Sequence, residues 1–218
     1  EFVNCSAYCK SIAKVRYINE MIMVDTLYTV GHSNRTIYEL LMLLQLADIN
    51  SVVDVRSVPA SSYAPQFNKE PLSMFLKRNN IYYMHFGEEF GARRNDSVID
   101  GQVNFEVAAK TEKFQQGVAR IYNGLKRNFH IAFMCSEANP LSCHRFSLVS
   151  RYFFEHDVDV KHILCNKEIK THSDLEAEMI EGYLNKRKLP PVDEMFHEYT
   201  VEDQRLAAYR LKNQEIGY

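Results

Sequence analysis

Short apolar runs separated by amphipathic segments recur along most of the chain. Five runs rich in β-branched and aromatic residues predict buried strands, at residues 26–30, 51–55, 81–86, 130–136 and 158–164. Between them, apolar residues recur at spacings of three and four, the period of a helix with one buried face. This alternation predicts an α/β fold, a three-layer sandwich in which helices flank a mainly parallel sheet.

Residues that start helices refine this prediction. Thr36 followed by Glu39 forms a capping box, and Ser173 followed by Glu176 has the same pattern. After the fourth strand, Ser142 is expected to act as the N-cap of a helix. That helix would begin with three polar or reactive residues, directly beyond a strand end.

Beyond the last predicted strand, the pattern indicates helices only. Pro190 and Pro191 interrupt the chain between two helical segments. We expect one α/β domain over residues 25–190 and a C-terminal helical appendage over residues 191–218. Residues 1–24 show weak periodicity, and we interpret them as an N-terminal extension or as a cloning or leader remnant.

Composition excludes several classes of protein. The formal net charge of −2 gives no overall positive field that would indicate nucleic-acid binding. No apolar run approaches the ~20 residues of a membrane helix, so we expect no membrane partner. Five widely spaced cysteines do not form a disulfide framework, and no signal-peptide pattern is evident. We therefore expect a cytoplasmic protein.

Polar side chains follow four of the predicted strands. Because parallel strands all end at one edge of a sheet, these side chains are expected to share a site. The catalytic candidates are two histidines, two carboxylates and a cysteine: His32, Asp54, Cys135, Glu137 and His144. The substrate-binding candidates are Ser33, Arg35, Arg56, Arg93, Cys143 and Arg145.

The arginines at this edge indicate an anionic ligand. Guanidinium groups match phosphate and carboxylate geometry, and a helix beginning near Cys143 would add backbone N–H groups. The alternative is a structural ion-pair network. In that network, Arg56 would pair with Asp54, and Arg145 would pair with Glu137.

The acid–base candidates are the histidines, because imidazole titrates near neutral pH. Cys135 is the nucleophile candidate, since cations near a strand end lower a thiol's pKa. The alternative is that Cys135 is a small buried hydrophobic residue. Cysteine phosphatases have an arginine six positions after the cysteine, and here Leu141 occupies that position.

A metal set is a further alternative. Zinc accepts two thiolates and one or two imidazoles, which Cys135, Cys143 and His144 would supply, with His32 as an optional fourth ligand. Their spacing is not that of a zinc knuckle or ribbon. We therefore assign no metal ligands from the sequence, and the cofactor stays unassigned.

Five ordered motifs carry a resemblance to a known family. They are TVGHSNRT, VVDVRSVP, PQFN, HFGEEFGARR and FMCSEANPLSCHR. Over residues 26–180, the chain resembles the domain of unknown function 488 family. The resemblance implies an α/β fold and a common site for the matched polar residues, but it implies no reaction. A likeness to rhodanese-like domains, through VVDVR and a cysteine at a strand-to-helix turn, is an analogy only.

From these observations we expect an enzyme, a hydrolase or transferase, acting on a small phosphorylated or nucleotide-like substrate. One alternative is a sulfurtransferase or phosphatase that acts through Cys135. Another is a non-catalytic module for a nucleotide or single-stranded nucleic acid, with bases stacked on Tyr63, Phe67, Tyr82 and Tyr83. Residues 95–104 are expected to form a polar loop over the site. The oligomeric state stays open.

Overall fold

The computed structural model describes residues 26–193 and 198–217, so the proposed N-terminal extension at residues 1–24 lies outside the described residues. The strands in this part are β1 Thr26–Gly31, β2 Ser51–Asp54, β3 Tyr82–His85, β4 Val98–Ile99, β5 Gln102–Val103, β6 Ile131–Cys135, β7 Asp159–Ile163 and β8 Ile169–Thr171.

The α-helices in the same part of the chain are α1 Ile37–Leu46, α2 Lys69–Arg78, α3 Gly87–Phe90, α4 Phe105–Ala108, α5 Glu112–Lys126, α6 Arg151–Phe154, α7 His172–Asn185 and α8 Val201–Ile216. Two 3₁₀ turns, Pro65–Phe67 and Pro140–Ser142, and one π-helical segment, Arg145–Ser150, complete the regular structure. Among these helices, none is both long enough and apolar enough to span a bilayer.

Six of the strands form one sheet in the order β3-β2-β6-β1-β7-β8. The first five of these run parallel, and β8 pairs antiparallel with β7 at the edge. The predicted mainly parallel sheet is confirmed. The sequence analysis missed β8, because its three residues are mostly exposed and show no apolar run.

The side chains of β6 show how the sheet separates two cores. Ile131, Phe133 and Cys135 pack in the cluster that contains the apolar face of α5. Ala132 and Met134 pack in the opposite cluster, with α1 and α2. Successive strand residues point to opposite faces, so a central strand covered on both sides is apolar throughout. This arrangement confirms the three-layer sandwich.

Helices α7 and α8 pack in a third cluster around Phe146. The capping box of α1, Thr36 with Glu39, is present as predicted. The prediction of a second box at Ser173 and Glu176 was wrong, because α7 begins two residues earlier. Thr171 and Asp174 form that box, since β8 leads directly into the helix.

The prediction of Ser142 as a helix N-cap was also wrong. Ser142 ends the 3₁₀ turn that Pro140 begins, and the side chain of Asn139 caps that turn by accepting from the Leu141 N–H. The following helical segment starts at Arg145 and is π-helical and fully buried. π-helical segments are rare and often lie at functional sites.

Residues 95–104 form a hairpin instead of a plain loop. Strands β4 and β5 pair antiparallel, and the hairpin attaches to the end of α8. The amide of Gln102 donates to Gln214 O and Gly217 O, and the Asn213 amide donates to Val103 O. The hairpin therefore packs against the C-terminal helix.

A buried hydrogen-bonded chain links the sheet to the C-terminal helices. Its members, in order, are Thr29, His162, His172, Tyr209 and Glu176, with contacts of 2.8, 3.1, 2.8 and 2.7 Å. The Tyr209 hydroxyl donates to the carboxylate, so its oxygen accepts from His172 Nε2–H. Each of the two histidine rings then carries its proton on Nε2 and accepts a hydrogen bond at Nδ1. Both imidazoles are therefore neutral.

This chain predicts a pH dependence of stability. Burial lowers the pKa of His172 to about 3 and holds the pKa of His162 well below its usual value. The two neutral histidines stabilise the folded protein fully above about pH 6.5. This stabilisation is lost as pH falls toward their folded-state pKa values, because over this range only the unfolded chain takes up protons on them. Each histidine contributes up to about 1.4 kcal/mol per pH unit.

Chemical unfolding of wild type and His172→Gln between pH 7 and pH 5 measures this effect. The free energy of unfolding of wild type should fall more steeply with acid than that of the variant. His156→Gln, at an exposed position, is the matched control and should keep the wild-type slope. Equal slopes for all three proteins would contradict the assignment of a neutral buried pair.

Candidate functional site

The sheet brings the ends of its three central strands together. Gly31 lies opposite Cys135 in the register of β1 and β6, and Asp54 lies opposite Met134 in the register of β2 and β6. Backbone pairing continues past the strand ends, where the His32 N–H donates to Cys135 O at 2.9 Å. The polar residues that follow these strands therefore share one edge, as parallel strands require.

A buried ion pair lies at the centre of this edge. Arg56 donates from Nε to Asp54 Oδ1 at 2.9 Å and from Nη2 to Oδ2 at 2.6 Å. Nη2 also donates to Phe67 O, and the Tyr83 hydroxyl donates to Asp54 Oδ2 at 2.7 Å. Arg56 and Asp54 therefore form the structural ion pair that was the alternative to anion binding. Both side chains are almost fully enclosed.

His32 supports the same ion pair. Its Nδ1–H donates to Ser33 O at 2.8 Å, which leaves Nε2 to accept from Arg56 Nη1 at 3.1 Å. The ring stacks on Phe67 with centroids 4.3 Å apart. Burial lowers the pKa of His32 to about 4, so the ring is neutral near pH 7. These contacts make His32 a positioning residue for Arg56.

Arg145 is buried and holds the loop after β6. Its Nη1 donates to Glu137 O at 2.7 Å, and its Nη2 donates to Ala138 O at 3.2 Å. It thus binds the backbone carbonyl of Glu137, whereas the expected ion pair with the Glu137 carboxylate is not among its contacts. Arg145 Nε has no hydrogen-bond partner in the described residues.

Two cysteines and one histidine meet at the end of β6. Cys143 has an extended backbone and His144 a helical one, and this change directs both side chains toward Cys135. His144 Nδ1 lies 3.9 Å from the Sγ atoms of both cysteines. Its Nε2–H donates to Val55 O at 3.0 Å. The Cys135 thiol donates to Glu137 Oε2 at 3.1 Å.

The charges in this group are unevenly distributed. The hydrogen bond with Cys143, together with burial, raises the pKa of the Cys135 thiol. Burial also acts to raise the pKa of Cys143, but the bond from Cys135 and the charges of Arg145 and His144 hold it well below its usual value. Negative charge therefore concentrates on Cys143, which also accepts the Arg145 backbone N–H at 3.4 Å.

Two neighbours respond to that charge. Burial, followed by the negative charge of Cys143, raises the pKa of Glu137. Burial opposes protonation of His144, but the charge and hydrogen bond of Cys143 raise its pKa overall. The group therefore resembles other functional sites, in which nearby titratable side chains shift one another's pKa in opposite directions.

A cavity of about 270 Å³ opens at this edge. Its walls come from the ends of β2 and β6 and from the segment after α3; they are Arg56, Ser57, Val58, Ala60, Ser61, Arg93, Cys135, Ser136, Glu137 and His144. Arg93 is exposed, and its backbone N–H donates to Ser57 Oγ at 2.9 Å. Five of the residues selected from the sequence thus face one volume.

The other six selected residues do not line this cavity. Four of them, His32, Asp54, Cys143 and Arg145, lie behind it and contact its walls. Ser33 pairs its backbone N–H with Ser136 O and has a φ of 51°, in the left-handed region. The carbonyl of Arg35 accepts from the Gln66 amide, which ties that loop to the 3₁₀ turn.

Several residues of the site were not among the candidates selected from the sequence. Ser57 and Ser61 line the cavity, and Tyr83 binds Asp54. The sequence indicates Ser57 as part of the polar cluster after the second strand, with Asp54 and Arg56, but Ser57 was not among the selected binding residues. Tyr83 carries no such signal, because its role depends on the neighbouring strand.

Fold and site together define an α/β protein with a polar cavity at the carboxyl edge of a parallel sheet. The chain belongs to the family described as Domain of unknown function DUF488, which matches residues 36–152. Four of the five quoted motifs lie within this match, and TVGHSNRT lies almost entirely before it. No curated protein and no solved structure matches the chain, so the rhodanese-like analogy gains no support.

Proposed function

We propose that this protein is an enzyme, a hydrolase or transferase, acting on a small phosphorylated or nucleotide-like anion in the edge cavity. The observation that carries the proposal is the cavity wall, where two arginines face the side chains of Cys135, Glu137 and His144. Basic groups that bind an anion and groups that exchange protons thus border one space, as catalysis requires.

Arg93 and Arg56 have different parts in this proposal. Arg93 is exposed at the cavity and would contact the anion directly through its guanidinium fork. Arg56 is held by Asp54 and His32, so it would contribute a fixed positive charge at the cavity wall. The hydroxyls of Ser57 and Ser61 would complete the polar lining. Positioning roles for Asp54, His32 and Arg145 follow from their contacts.

Cavity size limits the substrate. A volume of about 270 Å³ lies just under the range of roughly 300–1,000 Å³ typical of drug-sized ligands. The enclosed part of the ligand is therefore expected to be the size of a phosphate or a sugar phosphate. Any larger portion of a nucleotide would extend past Arg93 into solvent. Glu137, which also lines the cavity, is the expected proton acceptor.

The two alternative functions have less support from the contacts. Covalent chemistry through Cys135 needs a thiolate, whereas the hydrogen bond with Cys143 and burial raise the pKa of the Cys135 thiol. A base-stacking surface needs neighbouring exposed aromatic rings. Phe67 is buried against His32, and Tyr83 is bound to Asp54. Tyr63 and Tyr82 are exposed, but neither lines the edge cavity.

Arg93→Ala tests the proposal. Calorimetric titration with inorganic phosphate and a panel of phosphomonoesters should show binding by wild type, with affinity reduced tenfold or more in the variant. That loss corresponds to one charge-assisted hydrogen bond of about 1.5–3 kcal/mol. Arg78→Ala removes an equally exposed arginine at the end of α2 and should bind as wild type does.

Two outcomes would overturn the proposal. In the first, no phosphate compound binds wild type or raises its melting temperature. In the second, Arg93→Ala and Arg78→Ala bind with equal affinity, which would place the anion elsewhere. A ligand that binds should then be followed for turnover, because binding without conversion would support the non-catalytic alternative.

A further inference from the structure

We infer that Cys135, Cys143 and His144 form a binding site for a divalent transition metal, with zinc as the best match to these ligands. The three side chains offer Sγ, Sγ and Nδ1 atoms that all lie within 4.8 Å of one another. Two thiolates and one imidazole are ligands that zinc prefers, and a set of three leaves one coordination position for water or substrate.

The distances fit tetrahedral coordination. With Zn–S near 2.3 Å and Zn–N near 2.1 Å, a tetrahedral zinc holds sulfur and nitrogen about 3.6 Å apart. His144 Nδ1 lies 3.9 Å from each sulfur, so each contact needs to shorten by only about 0.3 Å. His32 is not a fourth ligand, because Ser33 O and Arg56 engage both of its ring nitrogens.

The surrounding hydrogen bonds orient the ligands in the way known metal sites do. His144 Nε2–H donates to Val55 O, which directs the Nδ1 lone pair toward the two sulfurs. Metal-binding histidines characteristically donate their second N–H to a carbonyl or carboxylate. The Arg145 backbone N–H points at Cys143 Sγ and stabilises negative charge there.

Buried charge provides an independent argument. Arg145 is completely enclosed, and no carboxylate forms an ion pair with it in the part of the chain that the structure describes. An uncompensated buried guanidinium is costly. Deprotonated cysteine ligands would supply negative charge in this enclosed group, where Cys143 Sγ accepts the Arg145 backbone N–H at 3.4 Å.

The fourth position would face the cavity. Cys135 and His144 line it, as does Glu137, which lies outside the three-ligand set. A zinc with three protein ligands lowers the pKa of a bound water, and a nearby carboxylate can accept the proton released. The inferred site therefore deepens the proposed function. Its catalytic meaning rests on that function, whereas metal binding itself does not.

Metal content provides the test. The full chain, purified under reducing conditions and given Zn²⁺ and then passed through a desalting column, should retain about one zinc per chain by elemental analysis. Cys143→Ser should lose most of it. Cys165→Ser, which replaces an exposed free cysteine outside the site, is the matched control and should retain it.

A second measurement keeps the test valid if the variant folds poorly. In wild type, Zn²⁺ should slow alkylation of Cys135 and Cys143 by iodoacetamide, followed residue by residue with mass spectrometry. Cys165 should react equally fast with and without metal. Substitution with Co²⁺ should give intense thiolate-to-metal absorption and the visible bands of a tetrahedral ion.

The inference is overturned if wild type retains no zinc or cobalt. It is also overturned if metal changes the alkylation rate of none of Cys135, Cys143 and Cys165, or if Cys143→Ser and Cys165→Ser retain equal amounts of zinc. If wild type retains no added metal but binds phosphate in a way that depends on Arg93, the metal site is ruled out and the proposed function still holds. If wild type retains metal but binds no anion, the proposed function is ruled out and the metal site still holds. Glu137→Gln should keep the metal and lose turnover.

Discussion

Replacing Asp54 with asparagine is expected to lower the free energy of unfolding by about 3–5 kcal/mol. Asp54 is completely buried, and Arg56, its partner, is only 5% exposed. Removing the carboxylate charge leaves a buried guanidinium uncompensated, which costs far more than the net contribution of the intact pair. Urea unfolding, followed by circular dichroism, measures the change.

Two further variants separate this mechanism from general damage to the sheet. Asp54→Asn combined with Arg56→Gln should be more stable than Asp54→Asn alone, because both charges are gone. Glu88→Gln breaks an ion pair with Lys113 whose members are both largely exposed, and it should leave the unfolding midpoint unchanged. An Asp54→Asn protein as stable as wild type would rule out the buried ion pair.

Replacing Gly31 with alanine is expected to destabilise the protein by about 3 kcal/mol and abolish ligand binding in the edge cavity. A Cβ on Gly31 would overlap the carbonyl oxygen of Glu137 and press against Arg145 Nη2. The overlap is with backbone, so the loop after β6 must move. The Arg145 bond to Glu137 O would then break, and the Glu137 side chain would leave the cavity wall.

Gly182→Ala is the matched control for this substitution. Gly182 lies within α7, and a Cβ there would meet nothing within 4 Å. Alanine should therefore stabilise the helix by about 0.5–1 kcal/mol, because it reduces the freedom of the unfolded chain. Thermal unfolding should move in opposite directions for the two variants. A Gly31→Ala protein with wild-type stability would contradict the close approach of the loop.

The sheet was predictable because its signal is local. The residues of β6 are apolar without interruption, which is the pattern of a strand covered on both faces. The capping box at Thr36 needs only two side chains three residues apart. By contrast, β8 has three mostly exposed residues, and it forms only because β7 offers an edge.

The site was only partly predictable. Strand order explains why Arg56 and Cys135 meet at one edge, and that inference needs no side-chain detail. Which arginine is exposed at the cavity depends on tertiary contacts. Arg145 and Arg93 are equally basic in the sequence, yet one is enclosed under a loop and the other is exposed.

The inferred metal ligands show the same limit. Cys143 and His144 are adjacent, and neighbouring residues in regular structure point in different directions. The chain changes from an extended to a helical backbone between them, after a 3₁₀ turn that the sequence analysis assigned differently. Spacing alone could not reveal this geometry, because no common zinc motif uses it.

We propose that the carboxyl edge of the sheet holds a ligand site and not only a network of structural ion pairs. A crystal structure of the wild-type protein grown with a phosphomonoester tests it most directly. We expect electron density for the anion between Arg93 and the wall formed by Glu137 and His144. Density for the anion at another surface, with this cavity filled by its own side chains, would contradict it.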